Sequence, residues 1–197
     1  GAILNDYNVT SIKFFTNAVS STTSGIDFVA SYSGLELGPG SLDLSIGFNT
    51  NSTELGDKIT TPKPISDSGA DIFDRKEQGR LISARPGNKF ILGLDYSMGN
   101  LTIGLNNTQF GEVTWQHGSD ESKDQTFSAK LINDLNVNYQ LNDNLSLNLA
   151  VNNLANAYPD VIDTKGDFVT DLGGRFEYPW EVNQFGFMGT NILGTVS

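Results

Sequence analysis

The sequence contains no cysteine, which removes disulfide frameworks, thiolate metal sites and cysteine nucleophiles together. Histidine is nearly missing as well. With His117 as the lone imidazole, beside a loop without cysteine, neither a nucleophilic triad nor a histidine-rich metal site can be assembled, and His117 reads as a solvated loop residue. Basic charge is scarce, with 12 Lys and Arg against 23 Asp and Glu and a net charge of −11, so the counterion-releasing basic face of a nucleic-acid binder is absent. Long apolar runs are also lacking. Stretches such as Phe28-Val29-Ala30 fall far short of the roughly 20 residues a spanning helix needs. The opening GAILNDYNVT has no basic start, apolar stretch and small-residue cleavage site, as expected if a leader has been removed or the sequence is a fragment. Good helix formers never gather into an amphipathic stretch, whereas Gly and Asn are plentiful, and this favours an all-β reading.

What is present is alternation with a period of two. Ile26, Phe28, Ala30 and Tyr32 share one face of a strand, with Asp27, Val29 and Ser31 on the other. After the turn signal Gly38-Pro39-Gly40 comes a second strand, Leu42, Leu44, Ile46 and Phe48 against Asp43, Ser45, Gly47 and Asn49. The unit recurs with Phe90, Leu92, Leu94 and Tyr96, a turn near Met98-Gly99-Asn100, then Leu101, Ile103 and Leu105 alternating with Thr102, Gly104 and Asn106. A third copy runs through Leu135, Val137, Tyr139 and Leu141, the turn Asn142-Asp143-Asn144, then Leu145, Leu147, Leu149 and Val151.

A polar face of Asp, Asn, Ser, Thr and Gly suits either an exposed sheet surface or a wet lumen. Connection lengths separate the two. Turns within hairpins are short, whereas the links between hairpins run from Glu54 to Asn88, Gln116 to Gln125 and Asn153 to Val182, the asymmetry of an outer-membrane barrel. Tyr32, Tyr96 and Tyr139 lie on the apolar faces near the short turns, where an interfacial girdle belongs.

These residues carry a resemblance. The stretch SIKFFTNAVSSTTSGIDFVASY, with Asn17 and Gly25-Ile26-Asp27-Phe28, resembles a descending strand of TonB-dependent receptors. VNNLANAYPD, with Asn152-Asn153-Leu154 and Tyr158-Pro159, is similar to the ending of the family's penultimate strand, and NQFGFMGTNILGTVS to its closing strand. The phase change in that last segment predicts a bulge near Gly189. Members of the family usually end in an aromatic residue, whereas this sequence stops at Ser197. The resemblance implies a 22-stranded antiparallel transmembrane barrel with an N-terminal plug. About seven strands are readable here, so residues 1–197 are expected to be a C-terminal segment of such a barrel, without plug or N-terminal strands.

The resemblance further implies outer-membrane import of a scarce nutrient such as an iron chelate, cobalamin or an oligosaccharide, with no catalysis and no cofactor. Its implied partners are outer-membrane lipid and lipopolysaccharide, the plug domain of the same receptor, TonB through the missing N-terminal region, and a small-molecule or oligosaccharide ligand. Asp27, Asp43, Asp95, Ser146 and Asn148 are the expected lumen-facing set. Arg75, Arg80 and Arg85 are candidate contacts for an anionic ligand or a lipopolysaccharide phosphate, although mixed surface charge is the commoner explanation. Trp115 and Trp180 are candidates for stacking on a ligand or for the membrane interface. Asp160, Asp163, Asp167, Asp171, Glu177 and Glu181 form an acidic last loop that lacks calcium-loop spacing. Asn-X-Ser/Thr matches at Asn8, Asn51, Asn100, Asn106 and Asn144 are what chance gives in so Asn-rich a chain. The alternative is a secreted soluble β-sandwich carbohydrate-binding module, in which a second sheet covers the apolar faces.

Overall fold

A computed structural model describes residues 17, 19–58, 61–67, 69, 71–163 and 176–197. The early part of the first family-like stretch, residues 11–16, lies outside them. Seven strands form one antiparallel sheet: β1 (Val19–Leu37), β2 (Gly40–Lys58), β3 (Asn88–Met98), β4 (Leu101–Phe110), β7 (Lys130–Asn142), β8 (Leu145–Asn152) and β9 (Asn191–Val196). Their order in the sheet follows the chain, as in an up-and-down wall. A small hairpin, β5 (Val113–Trp115) with β6 (Gln125–Phe127), rises from the link between β4 and β7. Two helices, α1 (Lys63–Ser66) and α2 (Arg75–Ile82), lie in the link between β2 and β3. No helix among the described residues is long and apolar enough to cross a membrane.

Register turns single-strand alternation into two continuous faces. Leu44 is opposite Leu94, Leu94 opposite Leu105, Leu105 opposite Leu135, Leu135 opposite Val151 and Val151 opposite Ile192, so one apolar row crosses the sheet from β2 to β9. Ile192, Gly194 and Val196 thus belong to the apolar face. Phe185 to Thr190 precede β9 outside any strand, and β9 pairs with β8 without a register shift, so the expected bulge at Gly189 is a loop residue instead. Real register shifts occur in β1 after Tyr32 and in β7 after Gln140.

Val151 is buried, but many apolar side chains on this face stay open, with Ile26 at 66% and Ile192 at 68% of full exposure. Among the described residues no second sheet packs over them, which removes the β-sandwich alternative, since a sandwich buries that face against a layer about 10 Å away. The buried core lies instead among the long links.

Strands β1 and β2 extend further than their alternation suggested. At 19 residues each they reach about 60 Å, against the 9–11 tilted residues that cross a bilayer. From Ser20 to Ser24 both faces carry only Ser and Thr, so no period-two signal marks that part. Turns at the opposite end are tight. Gly38 and Gly99 occupy φ of 60° and 56°, a region that glycine enters without the Cβ clash other residues meet.

Candidate functional site: a loop cap and the inner face

The long links are not independent loops. Asp74 caps α2 by accepting a hydrogen bond from the Glu77 amide at 2.9 Å, a capping pattern written in the Asp74-Arg75-Lys76-Glu77 sequence but masked there by mixed charge. One face of α2 meets the β5–β6 hairpin so closely that a Cβ on Gly79 would come within 2.9 Å of the Gln116 side chain. Ser83 then joins helix to hairpin: its hydroxyl donates to the Thr114 carbonyl at 2.9 Å and its own carbonyl accepts from the Thr114 amide at 2.8 Å. Ala84, Val113, Trp115, Phe127, Ile162 and Val182, drawn from all three long links, form the buried core of this cap.

Ion pairs fasten its rim. Arg75 holds Asp124 bidentately at 2.6 and 2.5 Å and donates to the His117 carbonyl at 3.1 Å. Hydrogen bonding to that guanidinium keeps the Asp124 carboxyl below the usual carboxylate range. Glu181, its side chain only 5% exposed, accepts from Arg80 at 2.6 Å and from the Trp115 indole at 3.1 Å, with Lys76 at 3.6 Å. Burial would raise the Asp160 carboxyl, but Lys130 and the Ser128 hydroxyl and amide outweigh it and lower it. Gln184, also buried, ties the last link down by donating to the carbonyls of Gly111 at 2.6 Å and Ser128 at 2.9 Å.

Arg75, Arg80 and Arg85 therefore sit together, but as internal fasteners. Arg85 donates to the carbonyls of Ala84 at 2.8 Å and Glu181 at 3.3 Å. Trp115 is 2% exposed, the largest side chain of the cap core, because Glu181 satisfies its indole N–H there; it offers no ring to a ligand or to lipid. Trp180 keeps an exposed ring. His117 is more than a solvated residue: its Nδ1 accepts from the amides of Ser119 and Asp120, and its own amide donates to Asp124. Of the acidic last loop, Asp160 and Glu181 are engaged in separate ion pairs, Asp167 and Asp171 lie outside the described residues, and no metal-holding group of three occurs among those described.

Below the cap, the polar face collects Asp27, Asp43, Asp95, Ser146 and Asn148. Asp43 is directly opposite Asp95, Asp27 accepts from Asn49 at 2.6 Å, and Asn148 is paired with Asn138 and Thr195. The Ser146 hydroxyl shares a hydrogen bond with that of Ser197 at 2.9 Å. A few apolar side chains, including Val29, Ile91 and Leu193, interrupt this face.

Two adjoining depressions lie on it. The first, of about 430 Å³, is lined by Ser45, Asp95, Asn106, Asp134, Asn136 and Asn152 over a floor that Gly93, Gly104 and Ala150 keep low. A second, of about 360 Å³, opens toward the cap where Phe185 to Gly189 fold over the sheet, and Phe110, Ile132, Phe185 and Met188 give it an apolar wall. Phe110 and Phe185 rings lie 5.8 Å apart, and the Lys89 ammonium sits 5.1 Å over Phe110. Asp134 and Asn152 line both. Asn153 fixes the junction from φ 52°: its amide donates to Asp134, and its side chain bonds Ala157 in both directions at 2.8 Å.

Single-sequence reading missed Asn106, Asp134, Asn136, Asn152, Phe110 and Phe185. Alternation puts the first four on the polar side, but only cross-strand register brings them together.

An open antiparallel sheet with a bare apolar face, a polar face, tight turns at one end and a folded cap at the other is the wall of an outer-membrane barrel. A family model, the TonB dependent receptor-like β-barrel, matches residues 1–154, and the chain belongs to that family. No curated protein and no solved structure matches it. The family resides in the outer membrane and serves TonB-dependent transport rather than enzymatic catalysis; a ligand, a plug and TonB are its general partners.

Proposed function

We propose that this chain is the C-terminal wall and extracellular cap of a receptor importing a scarce nutrient, an iron chelate, cobalamin or an oligosaccharide. The supporting observation is the pair of faces on one open sheet. Among the described residues strands β1 and β9 each pair on one side only, and a bilayer does not tolerate such edges, so closure calls for further strands, on the family pattern a 22-stranded barrel. A plug would fill the lumen and engage TonB through its own N-terminal region. In this reading Asp27, Asp43, Asp95, Ser146 and Asn148 hydrate the pore and meet the plug. Arg75, Arg80 and Arg85 hold the cap in shape, and the exposed ring of Trp180 is the loop contact offered to ligand or lipid. Periplasmic and extracellular ends follow from turn length, and lipopolysaccharide surrounds the cap end.

Deleting the gene and measuring growth on limiting nutrients tests this. Loss of uptake of one nutrient, reproduced by deleting TonB or collapsing the proton gradient, is the expected result. Uptake that persists without TonB and without the gradient contradicts it.

A further inference from the structure

We propose that the outer surface of the bilayer crosses the apolar face of this wall along an oblique line, and that Asn107, Gln109 and Asn133 form a polar step just above that line on which lipid headgroups rest. This concerns the outside of the wall and holds whichever nutrient is imported. Tyrosines mark one level. Tyr32 lies in the cross-strand row of Leu44 and Leu94, Tyr96 one row nearer the tight turns with Leu42 and Ile103, and Tyr139 one row nearer again with Leu101 and Leu147. Their strands are the first, third and fifth in sheet order, so the tyrosines descend one row for every two strands. A row is two residues, about 6.7 Å, and two strand spacings are about 9.6 Å, which sets the tyrosine line at about 35° to the rows. Strands of outer-membrane barrels tilt by about this angle, so a line level in the membrane runs oblique in the sheet.

The opposite border descends the same way. Outward from the tyrosines, lipid-facing side chains stay apolar as far as Ile26 on β1, Phe48 on β2 and Phe90 on β3, then give way to Ser24, Thr50 and Asn88. On β4 and β7 they stop sooner, at Leu105 and Leu135, and give way to Asn107 and Asn133. From β1 to β7 this border falls by three rows where the tyrosines fall by two. Leu131, half-exposed on β7, is an apolar side chain beyond the line. A single row shows the crossing: Ile46, Leu92, Asn107 and Asn133 stand opposite one another in turn, two aliphatic side chains and then two carboxamides.

Hydrogen bonding decides which layer those carboxamides can occupy. Asn133 Nδ2 donates to Asn107 Oδ1 at 2.5 Å and Asn107 Nδ2 donates to the Leu92 carbonyl at 3.3 Å, which leaves each amide a second N–H to place. Hydrocarbon offers it no acceptor, whereas headgroup phosphate and ester oxygens do. Gln109, opposite Phe90 on one side and Leu131 on the other, adds a third carboxamide at the same border. On the β7 side the strands therefore leave the hydrocarbon close to the cap, while the ribbon of β1 with β2 runs on from Gly25 to Val19 beyond the line.

The test uses the full-length receptor in phosphatidylcholine vesicles, carrying single spin-labelled cysteines at positions 46, 92, 107 and 133 of the one row and at 44 and 135 of the next. Oxygen reports hydrocarbon, and nickel chelated to a lipid headgroup reports the headgroup layer. Labels replacing Ile46 and Leu92 should favour oxygen and those replacing Asn107 and Asn133 the headgroup nickel. The label at Leu44 should lie about 8 Å deeper than that at Leu135, three strand spacings at a tilt of about 35°. Heat-modifiable gel mobility shows that each variant retains its barrel. Equal preference for oxygen at all four positions of the row, or equal depth at Leu44 and Leu135, overturns the proposal. Shielding of positions 107 and 133 from oxygen and nickel alike also overturns it, because protein would then cover the step. Alternation along β3 that survives such a result leaves the membrane wall standing and removes only the oblique border; loss of the alternation as well removes the wall itself.

Discussion

Replacing Trp115 by alanine should open the cap while leaving the wall intact. Trp115 is the largest member of the core that joins all three long links, and its indole N–H is bonded to the nearly buried Glu181 carboxylate. Truncating a fully buried Trp costs about 3–5 kcal/mol, and losing a hydrogen bond to a charged group adds about 1–3 kcal/mol, part of which Lys76 and Arg80 offset by staying on Glu181. The remaining core, Ala84, Val113, Phe127, Ile162 and Val182, is too small to absorb that loss. None of these core residues lies in the seven-stranded sheet, whose backbone ladders run from β1 to β9. At about 1.4 kcal/mol per decade, a loss of 3–5 kcal/mol raises the population of the open cap by about 10²–10⁴-fold. Trypsin cleavage at Lys76, Arg80 and Lys123, followed in the detergent-solubilised receptor, reads that population when reclosing is fast. The cut rate should rise by about two orders of magnitude or more, with barrel mobility on unheated gels unchanged. A rate within about threefold of the wild type would refute the assignment of Trp115 to a shared core.

Other substitutions probe other parts of the structure. Leu94→Arg places a charge in the middle of the apolar row and should destabilise the barrel by about 2–4 kcal/mol in reversible unfolding from lipid, whereas Asn136→Arg on the opposite face should cost under about 1 kcal/mol. The Asp124 carboxyl is lowered by Arg75, so its stabilisation is complete above the unfolded carboxylate value of about 4 and fades as pH falls through its lowered folded value. Hydrogen exchange of peptides spanning 113–127, corrected for intrinsic rates, should then stay slow from neutral pH down to about pH 4 and quicken below it, while Asp124→Asn is fast throughout. Gly99→Val, forced into φ 56° at a two-residue turn, should slow barrel assembly and cost about 1–2 kcal/mol, measured by refolding into lipid vesicles.

Legibility followed the range over which each signal acts. Strand cores, tight turns and the faces of Asp43, Asp95 and Asn148 could be read because alternation is local and two-residue turns fix the register of their own hairpins. The pairing of β2 with β3 and of β4 with β7 spans long links, so the meeting of Asn106 with Asp134 and Asn136 was hidden from any single strand. Helix α2 escaped notice because half of its eight residues are charged and its cap signal, Asp74 with Glu77, sits inside a run of mixed charge. The roles of Arg75, Arg80 and Trp115 were hidden for a related reason: their partners Asp124 and Glu181 lie on other links, which made internal fasteners resemble surface ligands.

The two-faced wall can be tested most directly through the absence of cysteine. Single cysteines placed in turn at residues 90 to 96 of β3 in the full-length receptor, spin-labelled in lipid bilayers, report contact with oxygen in hydrocarbon or with a water-soluble nickel chelate. Phe90, Leu92, Leu94 and Tyr96 should favour oxygen and Ile91, Gly93 and Asp95 the nickel chelate, alternating at every step. Uniform accessibility along the strand, or water contact on the Leu92 and Leu94 side, would contradict the barrel wall.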